Sequence, residues 1–148
     1  MQNIRIEVEG VIVFQTAESE TTYNNVKIHD AEDVIPYLDF IRRRNQEHFV
    51  VITLNGSNEV IEARIITTGL LDCNQVHPRE VFRPAIKDGA AAVLLSHNHP
   101  SGTLESSPED IAITKRLVKA GEIIGIRVLD HVIVANDGWI SMKQRGEM

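Results

Sequence analysis

Ala90-Ala91-Ala92-Val93-Leu94-Leu95-Ser96-His97-Asn98-His99-Pro100-Ser101-Gly102 is the stretch on which the reading of this chain turns, and Ser107-Pro108-Glu109-Asp110 follows it closely. The run Ala90 to Ser96 has no polar face, as expected of a central strand covered on both sides. Two histidines two residues apart at its end point the same way if the backbone stays extended, because side chains alternate along a strand. Ser107-Pro108-Glu109-Asp110 reads as a helix start, with serine at the N-cap, proline at N1 and acids in the first turn. Asp110 is favoured there by the helix dipole and can face back over the strand end. Two imidazoles and one carboxylate make a three-ligand zinc site with a fourth position free for water, the pattern of a catalytic rather than a structural zinc. Each half has a plainer explanation, as a hydrogen-bonded histidine pair or as an ordinary helix cap. The order His-x-His, seven residues, Ser, two residues, Asp, directly after a buried strand, is far more specific than either half. It predicts that His97, His99 and Asp110 ligate a metal ion.

These residues carry a resemblance. His97-x-His99, Ser107 and Asp110 resemble the motif of the JAMM (MPN+/JAB) metalloproteases, and His97-Asn98-His99-Pro100-Ser101-Gly102 is similar to its bacterial RadC-like branch. The likeness extends to His77-Pro78-Arg79-Glu80-Val81-Phe82, to Ala120 through Ile126 and to Asp130-His131-Val132-Ile133-Val134, roughly from Ile28 to the C-terminus. It implies a fold similar to cytidine deaminases and hydrolysis of a peptide or isopeptide amide by zinc-activated water. It also assigns Glu47 as general base and the Ser107 hydroxyl as donor to the oxyanion of the tetrahedral intermediate. On the residues alone, Glu59, Glu62 or Glu80 would serve as well; Glu47 is chosen because it falls where the family's glutamate does, just before Phe49-Val50-Val51. One departure is visible. The family often has Asp-Pro-x-Pro where this chain has Thr103-Leu104-Glu105-Ser106, at unchanged loop length. Metal ligation is untouched by that change, but the loop's rigidity and what it presents to a substrate are not.

Length and composition bound the remaining possibilities. The 148 residues, 43% hydrophobic and 24% charged, suit one soluble globular domain over 1–148, with 1–27 as an N-terminal strand extension and 28–148 as the RadC-like core. No apolar stretch approaches a membrane span and no signal-peptide layout opens the chain, so no membrane partner and a cytoplasmic location are expected. Cys73 is the single cysteine, which excludes an internal disulfide and zinc sites built on several thiolates. A net charge of -6 argues against strong nucleic-acid binding, and Arg42-Arg43-Arg44 reads as a solvated helix end. Most members of the resembled branch carry a helical DNA-binding-type module ahead of the catalytic domain, for which the stretch before Ile28 is too short.

Periodicity places the motifs. Ile4, Ile6 and Val8 alternate with charged residues as a half-buried strand, Val11 to Phe14 can continue it, and Gln15 to Asn25 reads as a loop. Val34, Leu38 and Ile41 predict a helix over Asp33 to Arg44, with Pro36 in its first turn. Phe49 to Leu54 and Glu59 to Thr68 predict a hairpin about Asn55-Gly56-Ser57-Asn58. After a loop from Gly69 to Val76, His77 and Pro78 open a helix that Gly89 stops and Pro84 should kink or shorten. A helix from Pro108 to Ala120 ending at Gly121, a strand Arg127 to Ala135 and a short one about Trp139 to Met142 complete an α/β (α+β) fold. Its mixed central sheet is flanked by helices on both faces.

Three functions fit these residues. The first is a zinc-dependent hydrolase acting on a peptide or protein substrate. The second is a non-enzymatic RadC-like module tied to DNA repair or mobile elements, against which the acidic charge speaks. The third is a deaminase on the related fold, which needs a Pro-Cys-x-x-Cys pair that one cysteine cannot provide. His131 reads either as a partner behind the metal ligands or as a satisfied core histidine. The substrate and the oligomeric state are not encoded legibly.

Overall fold

The computed structural model describes residues 6–7, 26–69 and 76–148. Among these, strands β1 (Ile6–Glu7), β2 (His48–Leu54), β3 (Val60–Thr68), β4 (Ala92–Asn98), β5 (Arg127–Ala135) and β6 (Gly138–Ser141) form one mixed sheet in the order β1-β3-β2-β4-β5-β6. β2 and β3 make the expected hairpin, closed by a turn in which Asn58 adopts a left-handed φ of 61°. β4 lies antiparallel to β2 and parallel to β5. Of the expected strand Ile4 to Glu9, only Ile6–Glu7 falls within the described residues, paired parallel with β3. The extended piece Val11 to Phe14, the loop Gln15 to Asn25 and most of the loop holding Cys73 lie outside them.

The helices cover both faces of this sheet. Along β2, Val50, Ile52 and Leu54 pack with Val34, Tyr37, Leu38 and Ile41 from the segment ahead of the strand. Phe49 and Val51 point the other way, onto α2 (Pro78–Lys87) and α3 (Pro108–Ile124) through Val81, Phe82, Ile113 and Leu117. The period-2 alternation of a strand therefore sorts one β-rich run into two cores. β4 is buried at every position, as a strand with a neighbour on each side and a helix layer on each face must be.

Local structure departs from expectation in four places. Asp33 to Arg44 is not one α-helix but a 3-10 segment, Ala31–Tyr37, followed by a single α turn, α1 (Asp39–Arg42). Pro36 lacks the N–H that an α-helix would use and its ring crowds the preceding turn, while Asp30 and Asp33 close a capping box that starts the segment earlier. Burial of Val34, Tyr37, Leu38 and Ile41, each worth about 1.5–3 kcal/mol for an aliphatic side chain, holds the poorer hydrogen-bond geometry in place. Pro84 does not shorten α2, which continues to Lys87 with Val81, Phe82 and Ala85 buried around it. Gly121 does not end α3. The helix runs on to Ile124 and stops at Gly125, and Gly121 is inside because a Cβ there would lie 2.4 Å from the Ile126 carbonyl oxygen. Finally, β4 extends past Ser96 to Asn98, which brings His97 into the sheet.

Candidate metal centre

The site forms where β4 ends and α3 begins. His97 pairs with Phe49 of β2 and Ile133 of β5 and is fully buried, while His99 lies just past the strand and reaches solvent at its edge. Extended backbone through Asn98 turns both imidazoles the same way, and their Nε2 atoms stand 2.9 Å apart. Ser107 caps α3: its Oγ accepts the Asp110 N–H at 3.1 Å, and Asp110 Oδ2 accepts the Ser107 N–H at 2.8 Å. That reciprocal capping box aims the Asp110 carboxylate at the strand end, with Oδ1 3.2 Å from His97 Nε2 and Oδ2 3.2 Å from His99 Nε2. The three ligand atoms lie within 4.8 Å of one another, a group placed to hold a metal ion.

The outward nitrogens of both rings are engaged, which tests whether a cation fits. His99 Nδ1 lies 2.8 Å from the Thr103 carbonyl oxygen, which can only accept, so Nδ1 carries the proton and Nε2 presents a lone pair. His97 Nδ1 lies 2.7 Å from His131 Nε2, and His131 Nδ1 lies 2.6 Å from Thr114 Oγ1, whose own proton goes to the Asp110 carbonyl oxygen at 2.6 Å. Burial, and next the nearby His97, hold His131 well below the ordinary imidazole pKa, so it is neutral. One consistent assignment follows: His97 donates to His131, His131 donates to Thr114, and the His97 Nε2 lone pair faces Asp110. Two imidazole lone pairs and a carboxylate then converge on one point, the donor set that nitrogen- and oxygen-binding divalent metals take.

Electrostatics agree. Burial by itself would raise the Asp110 carboxyl, but when no cation is held a proton taken up on an Nε2 atom is donated to it, and these bonds from the His97 and His99 side outweigh burial and hold the group far below the usual carboxylate range. His99 is raised, chiefly by its bond to Asp110, against the effect of burial. A proton shared there occupies the place a cation would take, so metal uptake weakens as pH falls through the raised His99 value.

Glu47 stands just before β2 and lines a cleft of ≈ 770 Å³ with His99, Ser107, Asp110 and the loop from Ser101 to Ser106. Sequence reasoning missed what holds it. The fully buried Asn98 accepts the His48 N–H at 2.7 Å and donates to the Gln46 carbonyl at 2.9 Å, gripping the backbone on both sides of Glu47. Its place between the two histidines is the only signal the chain offers for this. Thr114 was equally silent, since its partner His131 lies on another element. His77 is the N-cap of α2, its Nδ1 accepting the Arg79 N–H, and has no part in the cleft.

The model of the RadC-like JAB domain matches residues 28–147. The chain belongs to the RadC-like JAB domain family. It is 58% identical to a UPF0758 protein of Rubrobacter xylanophilus over 106 residues, covering 72% of the chain and 46% of that protein. UPF0758 proteins of Bacillus cereus and Caldanaerobacter subterraneus are each 46% identical, covering 84% and 85% of the chain and 56% and 54% of their own lengths. The chain thus spans about half the length of the curated relatives it matches. Among the described residues no helix is long and apolar enough to cross a membrane.

Proposed function

We propose that this RadC-like JAB domain is a zinc-dependent hydrolase that cleaves a peptide or isopeptide amide of a protein substrate. The observation that carries this reading is the convergence of His97 Nε2, His99 Nε2 and an Asp110 carboxylate on one point at the floor of an open cleft that Glu47 and Ser107 also line. Zinc held there would supply Lewis acidity, lowering the pKa of water from ~16 to about 7.

The chain's own residues account for the rest of the chemistry. The Glu47 carboxylate takes a proton from the attacking water and delivers it to the departing amine. Asn98 anchors the backbone on both sides of Glu47 by holding residues 46 and 48. Ser107 keeps its hydroxyl proton even while its oxygen accepts from Asp110 N–H, so it can donate to the oxyanion as the amide carbon becomes tetrahedral. Apart from His99, the ionisable side chains lining the cleft, Glu47, Glu105, Glu109 and Asp110, are acidic, which disfavours a phosphate backbone there and supports a protein rather than a nucleic-acid substrate.

Replacing Glu47 by glutamine tests the reading. A peptide panel first identifies a substrate cleaved by the wild type; Glu47→Gln then loses about a hundredfold to ten-thousandfold in rate with zinc content and thermal unfolding unchanged. Unchanged turnover would move the base to another carboxylate, with Glu80 next to be tried, and loss of zinc would make Glu47 a ligand.

A further inference from the structure

The cleft wall formed by the loop after His99 is held from outside by the chain's C-terminal turn. Thr103-Leu104-Glu105-Ser106 contains no proline, and Thr103 and Glu105 are exposed, so little within the segment itself limits its backbone freedom. Three contacts nevertheless converge on it from the far end of the chain. Arg145 Nη1 donates to the Leu104 carbonyl at 3.0 Å. Ser106 Oγ donates to Glu147 Oε2. Leu104 itself packs over Gly138, where a Cβ would sit 2.8 Å from its Cδ1.

The part that makes these contacts is itself firmly rooted. Beyond β6 the chain makes one turn in which the Arg145 N–H bonds Ser141 O at 3.2 Å. The Gly146 N–H then bonds Lys143 O, and the Glu147 N–H bonds Met142 O, each at 3.0 Å. That pair of bonds, with Gly146 at φ 71°, is a Schellman closure, and its left-handed residue turns Glu147 back toward Ser106. The base of the turn hangs on β5: the Met142 N–H bonds His131 O at 2.9 Å, and Asp130 accepts from Ser141 Oγ at 2.6 Å and from the Lys143 N–H at 3.1 Å. Thr103, next to the held residues, gives its carbonyl to His99 Nδ1.

We propose that the turn Met142–Glu147 is a clasp, with Arg145 and Glu147 as positioning residues that hold loop 103–106 as the fixed wall of the cleft and keep the Thr103 carbonyl on His99. An ordered wall spares an incoming chain the cost of ordering it on binding. The clasp concerns loop order and stands apart from whether the cleft hydrolyses anything.

Native cleavage of the full chain by a glutamate-specific protease, read by mass at Glu105, measures that order directly. Ser106→Ala, Glu147→Ala and the double variant should each be cut there about tenfold faster than wild type, because loss of one charge-assisted hydrogen bond raises the open population by about that factor. The double variant should equal Glu147→Ala, since Ser106→Ala removes nothing that Glu147→Ala leaves, while Glu147→Ala also frees Arg145, whose Nε lies 3.8 Å from Glu147 Oε1. Glu147→Gln, which still accepts from Ser106, should stay near wild type. Wild-type cleavage rates in the single variants, or effects that add in the double, would overturn the clasp. If Glu147→Ala lowers the unfolding temperature of the whole protein, Ser106→Ala, which deletes one hydroxyl from a half-buried side chain, decides alone.

Discussion

Two partly buried polar clusters lie on the face of the sheet that α2 and α3 cover, and they solve the cost of taking charge out of water in opposite ways. At one, Arg64 meets Asp88 through Nη1 at 2.5 Å and Nη2 at 2.7 Å and reaches Glu62 at 2.8 Å, while Thr53 Oγ1 donates to the same Asp88 at 2.7 Å. A permanently charged donor faces carboxylates there, and Asp88, the C-cap of α2, is tied to the β2–β3 hairpin. At the other, His97, His99 and Asp110 turn acceptor atoms toward one another while their spare donors point away to His131 and Thr103. Burial raises both aspartates and their partners pull both back down. The difference is that a guanidinium always carries its charge, whereas an imidazole must first take up a proton. The first cluster is balanced from within; the second is placed to be balanced by a metal ion.

Emptying the second cluster is the strongest way to break that contrast. His97→Ala and His99→Ala should each abolish zinc binding, read as metal per chain in the purified protein. Full stoichiometry in both variants would mean the acceptors do not act as ligands.

Breaking the first cluster should instead cost stability and spare the metal. Arg64→Met takes the guanidinium away from the half-buried Asp88 and Glu62, and losing hydrogen bonds to charged groups of this kind costs about 1.5–3 kcal/mol. Denaturant unfolding gives the loss, and zinc content should stay at wild type. The pH dependence has a definite sign. Asp88 is held below its ordinary value, so its contribution is present above the unfolded pKa of about 4 and is lost as pH falls through the lower folded value. Arg64→Met should therefore make the acid limb of the stability profile shallower. A steeper limb would show that other carboxylates govern it.

The smallest effect sharpens the comparison from behind. His131→Leu removes the acceptor for His97 Nδ1 while roughly keeping volume, and zinc affinity should fall about tenfold to a hundredfold in competition with a chelating dye. Unchanged affinity would leave His131 as a core histidine satisfied by Thr114.

How far these features could be read from the chain depended on how local they are. The hairpin, the helix start at Ser107 and the shared direction of His97 and His99 rest on contacts a few residues apart, and the one-dimensional pattern carries them. Gly121 misleads as a helix stop because what demands it is the close approach of the Ile126 carbonyl, and Phe82 of α2 lies 3.3 Å from the same point. Pro36 is visible, but its consequence, a 3-10 segment in place of an α-helix, depends on how much apolar surface that segment can bury.

From the sequence alone came the gathering of His97, His99 and Asp110 and the mixed sheet, because spacing along a strand and a capping box fix side-chain direction over a few bonds. Tertiary structure alone decided that His131 backs His97 from 34 residues away, that Asn98 grips the chain 50 and 52 residues before it, and that Arg145 and Glu147 hold a loop 41 residues upstream. Those pairings are made when β4 settles between β2 and β5 and the C-terminal turn folds back beside α3. Hydrogen bonds across such distances leave no periodic trace, because each partner need only be polar and in place once the sheet has brought it there.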